Sequence, residues 1–408
     1  MKRRYLVIGM LAMALKGKPQ ASDQPFQKRE IPKTDIEVLF SFYNQDGDHS
    51  AVTGGTGTEK LNVYAPGFNL DFQKIKSKIG FSGGVDIISS ASTDKIDFVE
   101  SSASLVDHRV HADFDYAHQI GNKDMVAGVG TGMSFESDYF SIPVRASFNY
   151  TTPSKMQQVS AAASVYFDDL RWGRRVGPGI TPPETLIYPS ELRYKEWYNT
   201  HNRYTYNLKT GFEQVINKRL VAAIYPELII QRGLLATPFH RVYFTNDSVR
   251  VENFPDKKTR FPIGAKARYF AGNKMVIKGG YNFYSDDFGI TAHGIDLEIA
   301  VKVSPLVTLS PFVRGYSQTA SRFFKPYGQH DPSSRYYTSD YDNSAFRSVK
   351  AGLGFRWAPF GYFSKNGIFN EVNIRYAAFF RSDGLSAHMV SAAFSLSRLK
   401  KTDTTPGQ

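Results

Sequence analysis

The chain contains no cysteine, which excludes a disulfide-stapled module and any thiolate-ligated zinc or iron–sulfur centre. It also lacks long apolar runs. After the N-terminus none approaches the roughly 20 residues a membrane helix requires, and mean hydropathy is −0.35, so a helical membrane protein is excluded. Helical periodicity is almost absent, and the glycines at 54, 55 and 57 do not have the spacing or terminal lysine of a phosphate cradle. What is present folds: 31 Phe, 24 Tyr and 3 Trp among 408 residues, with 22% charged, are too much hydrophobe for a disordered chain. Lys plus Arg exceed Asp plus Glu by 50 − 38 = 12.

The first residues read as a targeting signal. Lys2, Arg3 and Arg4 precede an apolar run from Tyr5 to Leu15, and the small residues Ala21 and Ser22 give a loose cleavage match. Residues 1–23 are therefore expected to be a signal peptide, followed by a short periplasmic segment at 24–33. Lys16 and Lys18 directly after the apolar run leave a basic amphipathic helix as the alternative. Residues 399–408 form a polar tail.

From residue 34 the pattern has period two. Ile295, Leu297, Ile299, Val301 and Val303 alternate with Asp296, Glu298 and Lys302, and Val349, Ala351, Leu353, Phe355 and Trp357 alternate with Lys350, Gly352, Gly354 and Arg356. About sixteen strands are predicted, the candidates being 34–44, 58–74, 78–89, 107–119, 125–136, 139–151, 156–168, 200–215, 219–232, 259–271, 274–285, 290–303, 307–319, 345–358, 368–381 and 385–398. A soluble β-sandwich would give the same alternation. The connections separate the two folds. Most of those after even-numbered strands are short, such as 121–124 and 272–273, whereas the long ones at 45–57, 90–106, 169–199, 233–258 and 320–344 follow odd-numbered strands; three odd connections (near 137, 286–289 and 382–384) are short and the turn at 359–367 is long for its class, so the count is sixteen to within two. This sorting, with an even strand number, is the pattern of an all-β, closed antiparallel transmembrane barrel of outer-membrane type, spanning 34–398. Closure also removes edge strands, which would otherwise template aggregation.

With the apolar face toward lipid, the other face assigns Arg145, Lys209, Glu213, Glu227, Lys266, Arg268, Lys278, Asp296, Glu298, Lys302, Arg314, Lys350, Arg356, Glu371 and Arg375 to the lumen. A charge facing lipid near the midplane costs roughly 2–4 kcal/mol, which so many charges would multiply. Trp172, Trp197, Trp357, Phe360 and Tyr362 fall near strand ends and are expected at the membrane interfaces, contacting outer-membrane lipid. A basic, water-filled lumen would favour an anionic solute. A lumen cross-linked by ion pairs, such as Glu371 with Lys350 or Arg356, would instead be a closed wall.

Other chemistry is sparse. Asp46-Gly47-Asp48 resembles the opening of a calcium loop without its later ligands, and Asp-Gly is also common turn chemistry, so Asp46 and Asp48 are only weak metal candidates. No cofactor site and no nucleophile–base pair stands out: Ser391 and His388 have opposite parity. The chain is therefore expected not to be an enzyme. No nucleic-acid motif accompanies the basic excess. Much of it lies in short turns, where headgroup phosphates are the nearer anions.

The stretches from Asp48 to Glu59, from Ser89 to Asp94 and from Tyr284 to Gly289 resemble an uncharacterised Gram-negative family, known only as a domain of unknown function and regarded as outer-membrane barrels. The resemblance implies export to the outer membrane and, through neighbours concerned with flavin attachment or thioredoxin-like chemistry, a place beside envelope electron transfer. No functional residue is established in that family, so none carries over. A porin-like channel is the expected function. A structural component that binds an envelope protein through its long loops or periplasmic turns is the alternative.

Overall fold

The computed structural model describes residues 32–90, 106–121, 124–136, 139–170, 202–237, 240–362, 364 and 366–399. The expected signal peptide, Trp172, Trp197 and nearly all of the polar tail lie outside the described residues.

The barrel strands are β1 (Lys33–Asp46), β2 (Leu61–Gln73), β3 (Ser77–Ser90), β4 (Val106–Ile120), β5 (Met125–Glu136), β6 (Tyr139–Thr151), β7 (Gln157–Asp169), β8 (Asn202–Asn217), β9 (Leu220–Gly233), β12 (Lys257–Ala271), β13 (Met275–Asp286), β14 (Thr291–Lys302), β15 (Val307–Gln318), β16 (Phe346–Trp357), β18 (Gly367–Arg381) and β19 (Ser386–Leu399). Between β9 and β12 lies a small hairpin, β10 (Arg241–Tyr243) with β11 (Val249–Val251), and β17 (Gly361–Tyr362) pairs briefly with β18. Each barrel strand pairs antiparallel with the next, and β1 pairs with both β2 and β19, from Lys33↔Leu399 to Asp46↔Ser386, so the sheet closes on sixteen strands. All sixteen coincide with the strands read from the sequence. The largest end difference is at Leu61, against an expected start at 58. The β10–β11 hairpin and β17 were not expected; both are too short to produce a period.

The alternation is a membrane pattern because the apolar residues face outward. Ile295 is 63% exposed and Val349 51%, and Val144, Leu208, Ile224, Leu353 and Phe394 are exposed in the same way. In a sandwich these side chains would form the core. Among the described residues the buried apolar cluster is instead Val242, Phe244 and Tyr337, all outside the barrel strands or in the small hairpin. This inversion of the soluble arrangement makes the architecture a transmembrane barrel of outer-membrane type. Trp357 closes β16 at the short-turn end, half exposed, with its ring 5.8 Å from Phe369. Phe360 is exposed in the same turn at a positive φ of 49°.

The tip between β13 and β14 shows how the tight turns hold. Asp286 accepts from the backbone N–H groups of Phe288 and Ile290, both at 3.0 Å, and from the Tyr284 hydroxyl at 2.7 Å, while pairing with Lys258 at 2.9 Å. Gly289 supplies the positive φ of 94° that such a turn needs. Its acidic, aromatic sequence thus serves the turn.

Candidate functional site

Two features stand out: a charged interior along the strands and a folded mouth at their long-loop ends. The interior face is fixed by bonds that skip strands. Arg375 on β18 donates to Glu298 on β14 at 2.8 Å, over β16 and β15, and Lys278 donates to the other Glu298 oxygen at 2.8 Å. A bond between strands that far apart can run only on the concave side. On its way Arg375 lies 4.4 Å from the Phe312 ring centre.

Glycines make a second such bond possible. Asp115, Gly130 and Arg145 are direct cross-strand partners on β4, β5 and β6. Arg145 reaches over β5 to donate to Asp113 at 2.6 Å and Asp115 at 3.4 Å, and on β5 itself to the Thr131 carbonyl at 3.1 Å. A Cβ on Gly130 or Gly132 would collide with the Asp115 or Asp113 carboxylate.

The other interior charges are mostly paired. Arg314 lies 3.6 Å from Asp296, Arg268 lies 3.7 Å from Glu213, and Arg356 donates to Glu371 at 2.9 Å. Glu227 accepts from Asn207 at 2.6 Å. Glu227, with only that amide partner, and several lysines are exceptions. Among the described residues, Lys209, Lys266 and Lys350 have no ion pair, and Lys266 rests 5.5 Å from the Tyr225 ring centre. Lys266, Gly280, Asp296, Arg314 and Lys350 form one cross-strand row, which sets the cations Arg314 and Lys350 directly opposite each other. Lys302 stands apart, at the short-turn end of β14.

Among the described residues, three long connections build the mouth: 47–60 after β1, 234–256 after β9 and 319–345 after β15. In a ring of sixteen, β1 and β9 stand opposite each other, with backbone walls about 30 Å apart for strands spaced about 4.8 Å and tilted about 40°. Loops from these opposite walls nevertheless touch. Gly54 and Gly55 adopt φ of 78° and 89°, and a Cβ there would meet the Tyr243 ring or the Ser339 carbonyl. Tyr243 packs 4.4 Å from Tyr327, and His49 stacks on Tyr341 at 3.8 Å. The second and third connections are knitted together by paired backbone bonds between Asn253 and Tyr337, at 3.1 and 2.9 Å, and by Arg250 donating to the Pro332 carbonyl at 3.1 Å. Phe244, His330 and Tyr337 pack around this junction. Arg381, at the end of β18, pins the assembly to the wall: it donates to Asp342 at 2.6 Å and to the Tyr341 carbonyl at 3.0 Å, pairs with Asp383, and lies 4.0 Å from the Phe346 ring centre. The loops form a cap spanning the mouth.

Within the cap, His240, Glu252 and Asp340 are all buried, with ligand-type atoms within 4.8 Å of one another. No sequence signal marks them, because Glu252 and Asp340 are far apart in sequence and no motif spacing joins them. Asp46 and Asp48 do not join this cluster; Asp46, exposed at the end of β1, lies 3.8 Å from Lys60. The Tyr362 side chain lies outside the described residues.

A family profile described as "Protein of unknown function (DUF3570)" matches residues 87–364. No curated protein matches the chain. Among solved structures, the chain is similar to the outer membrane protein OpdK from Pseudomonas aeruginosa, at 8% identity and a TM-score of 0.40 over 90% of this chain and 99% of that one. It is similar to a TodX monoaromatic hydrocarbon channel mutant at 9% identity and 0.40, over 91% of each chain. A bacterial polysaccharide outer membrane secretin gives 5% and 0.44, over 90% of this chain and 98% of that one.

Proposed function

Since the chain belongs to the DUF3570 family, whose function is unknown, we propose that it is an outer-membrane channel for small anionic solutes, narrowed at its long-loop mouth by its own cap and carrying out no catalysis. The observation that supports anion passage is that Lys209, Lys266, Lys302 and Lys350 carry no ion pair among the described residues, against two interior carboxylates, Glu37 and Glu227, that accept only from Asn69 and Asn207, while Asp113, Glu213, Asp296, Glu298 and Glu371 face arginine or lysine. Uncompensated cations on the wall of a wet lumen attract anions and repel cations. Long loops are extracellular in such barrels, so the cap faces outward and the short turns face the periplasm. In this reading residues 1–23 direct export and are removed, 24–33 and 399–408 lie in the periplasm, 34–398 spans the membrane, and Trp172, Trp197, Trp357, Phe360 and Tyr362 anchor at the lipid interfaces.

Planar bilayers carrying the purified protein test this. Discrete conductance steps with a reversal potential displaced toward chloride are expected in a potassium chloride gradient, and replacing Lys209, Lys266 and Lys350 by glutamate reverses the displacement. A barrel that is folded but electrically silent points to the other reading, a scaffold that presents its cap to an envelope partner. The cross-linking of the wall by Arg145 and Arg375 favours that reading.

A further inference from the structure

We propose that His240, Glu252 and Asp340 form a binding site for one divalent ion of the zinc type, which ties the second and third loops of the cap together. This inference is independent of permeation.

The three residues come from two loops. His240 and Glu252 flank the open end of the β10–β11 hairpin, where the Glu252 N–H donates to the His240 carbonyl at 3.1 Å. Hairpin pairing therefore holds one imidazole and one carboxylate side by side. Asp340 arrives from the other loop. Its backbone N–H donates to the Thr338 hydroxyl at 3.0 Å, and its carboxylate accepts from the Asp342 N–H at 3.0 Å. The geometry already approaches that of a metal site. His240 Nδ1 and Glu252 Oε1 are 3.4 Å apart, longer than the 2.7–2.9 Å typical of a charge-assisted hydrogen bond. It equals the edge of about 3.4 Å expected between ligands at the corners of a tetrahedron with bonds of about 2.1 Å. The third ligand lies within 4.8 Å of the others, so closure needs a shift of about 1.4 Å at most, which side-chain rotation can supply.

The surroundings suit an ion. All three residues are at least nine-tenths buried, and two carboxylates brought together in a dry site repel each other unless a cation or proton intervenes. Glu252 is oriented by the Thr338 hydroxyl at 2.6 Å and by the Thr237 N–H at 2.8 Å, the kind of outer support that fixes ligating carboxylates. One imidazole with two carboxylates is a mixed nitrogen and oxygen set, which suits zinc and its neighbours better than an all-oxygen calcium site. With no cysteine in the chain, disulfides cannot staple these loops on the cell exterior, and an ion bridging them would do the same work.

The test uses the full chain folded in detergent micelles, stripped with EDTA and titrated with Zn2+ by calorimetry, with bound metal counted by mass spectrometry. One zinc per chain is expected. Glu252→Gln and Asp340→Asn should each weaken binding at least 10-fold, and His240→Ala with Glu252→Gln should abolish it. Zinc should also slow proteolysis of the cap in the unaltered chain, a readout that needs no variant. Because the ligands lie outside the barrel strands, each variant is first shown to retain the heat-modifiable gel mobility of a closed barrel. The proposal is overturned if no stoichiometric zinc binds, if calcium alone binds, or if the zinc taken up is unchanged in the double variant and so belongs to others of the 9 histidines.

Discussion

Arg381 offers the sharpest perturbation of the cap. Its side chain is 2% exposed and faces Asp342 and Asp383, which are 6% and 10% exposed. Replacing it with alanine leaves two buried carboxylates without their cation and frees the Tyr341 carbonyl it had engaged. Breaking a buried pair by removing one partner costs about 3–5 kcal/mol. The charge that is lost lies at the junction of the third loop with the wall, so the penalty falls on the capped state and is relieved when the loop lifts away. At about 1.4 kcal/mol per decade, the ratio of lifted to seated cap should rise by about two to three and a half decades. Single-channel recording should then show larger or longer-lived openings in Arg381→Ala, with unchanged ion preference because the interior charges are intact. Proteolysis should move to residues 319–345. A variant with the conductance and cleavage pattern of the unaltered chain would refute both the pinning role and the reading of these loops as a constriction.

Gly130→Val should force Asp115 aside, break its approach to Arg145, and lower barrel stability by about 1–3 kcal/mol; the midpoint of heat-modified gel mobility reads this. Gly279→Val, at an outward position where an added Cβ meets nothing within 4 Å, serves as the control and should change little. Burial pushes the His330 imidazole below its ordinary value of 6.5, aided by the Lys325 charge and opposed by bonds to the Thr338 and Lys325 backbone. Since the released ring takes up a proton more readily than the seated one, cap stability is full above about pH 6.5 and declines as pH falls from there toward the lowered value. Protease sensitivity of the cap should rise on acidification, and His330→Gln should flatten that profile; identical profiles would contradict the assignment. Protein recovered from outer membranes should begin near residue 24, and N-terminal sequencing that finds Met1 would count against a cleaved export signal.

The barrel was legible in the sequence because each strand must present lipid and lumen to alternate residues, a constraint repeated sixteen times. The turns reinforced it: Gly272-Asn273 and Asn217-Lys218 leave no room for anything but a reversal. The interior pairings were only half legible. Parity assigned Glu298 and Arg375 to one face, but not to each other, because the bond between them depends on curvature, which period-two patterning does not encode. The sequence offers Glu371 two neighbouring-strand partners, Lys350 and Arg356, and Arg356 is the one it pairs with. The cap was not legible. Its contacts, such as His49 on Tyr341 or Asn253 with Tyr337, join irregular segments with no periodicity, and proximity there is created by closure of the ring.

The pairing of β1 with β19 has a consequence for assembly. The chain's first ribbon finds its final neighbour only when the last ribbon has been delivered, so until then both margins of a nearly complete sheet carry unsatisfied amides. In hydrocarbon such a seam is intolerable. Insertion must therefore proceed with the two margins shielded, by each other or by a helper that lends a temporary edge. A chain cut short before Ser386 would have no way to zip shut.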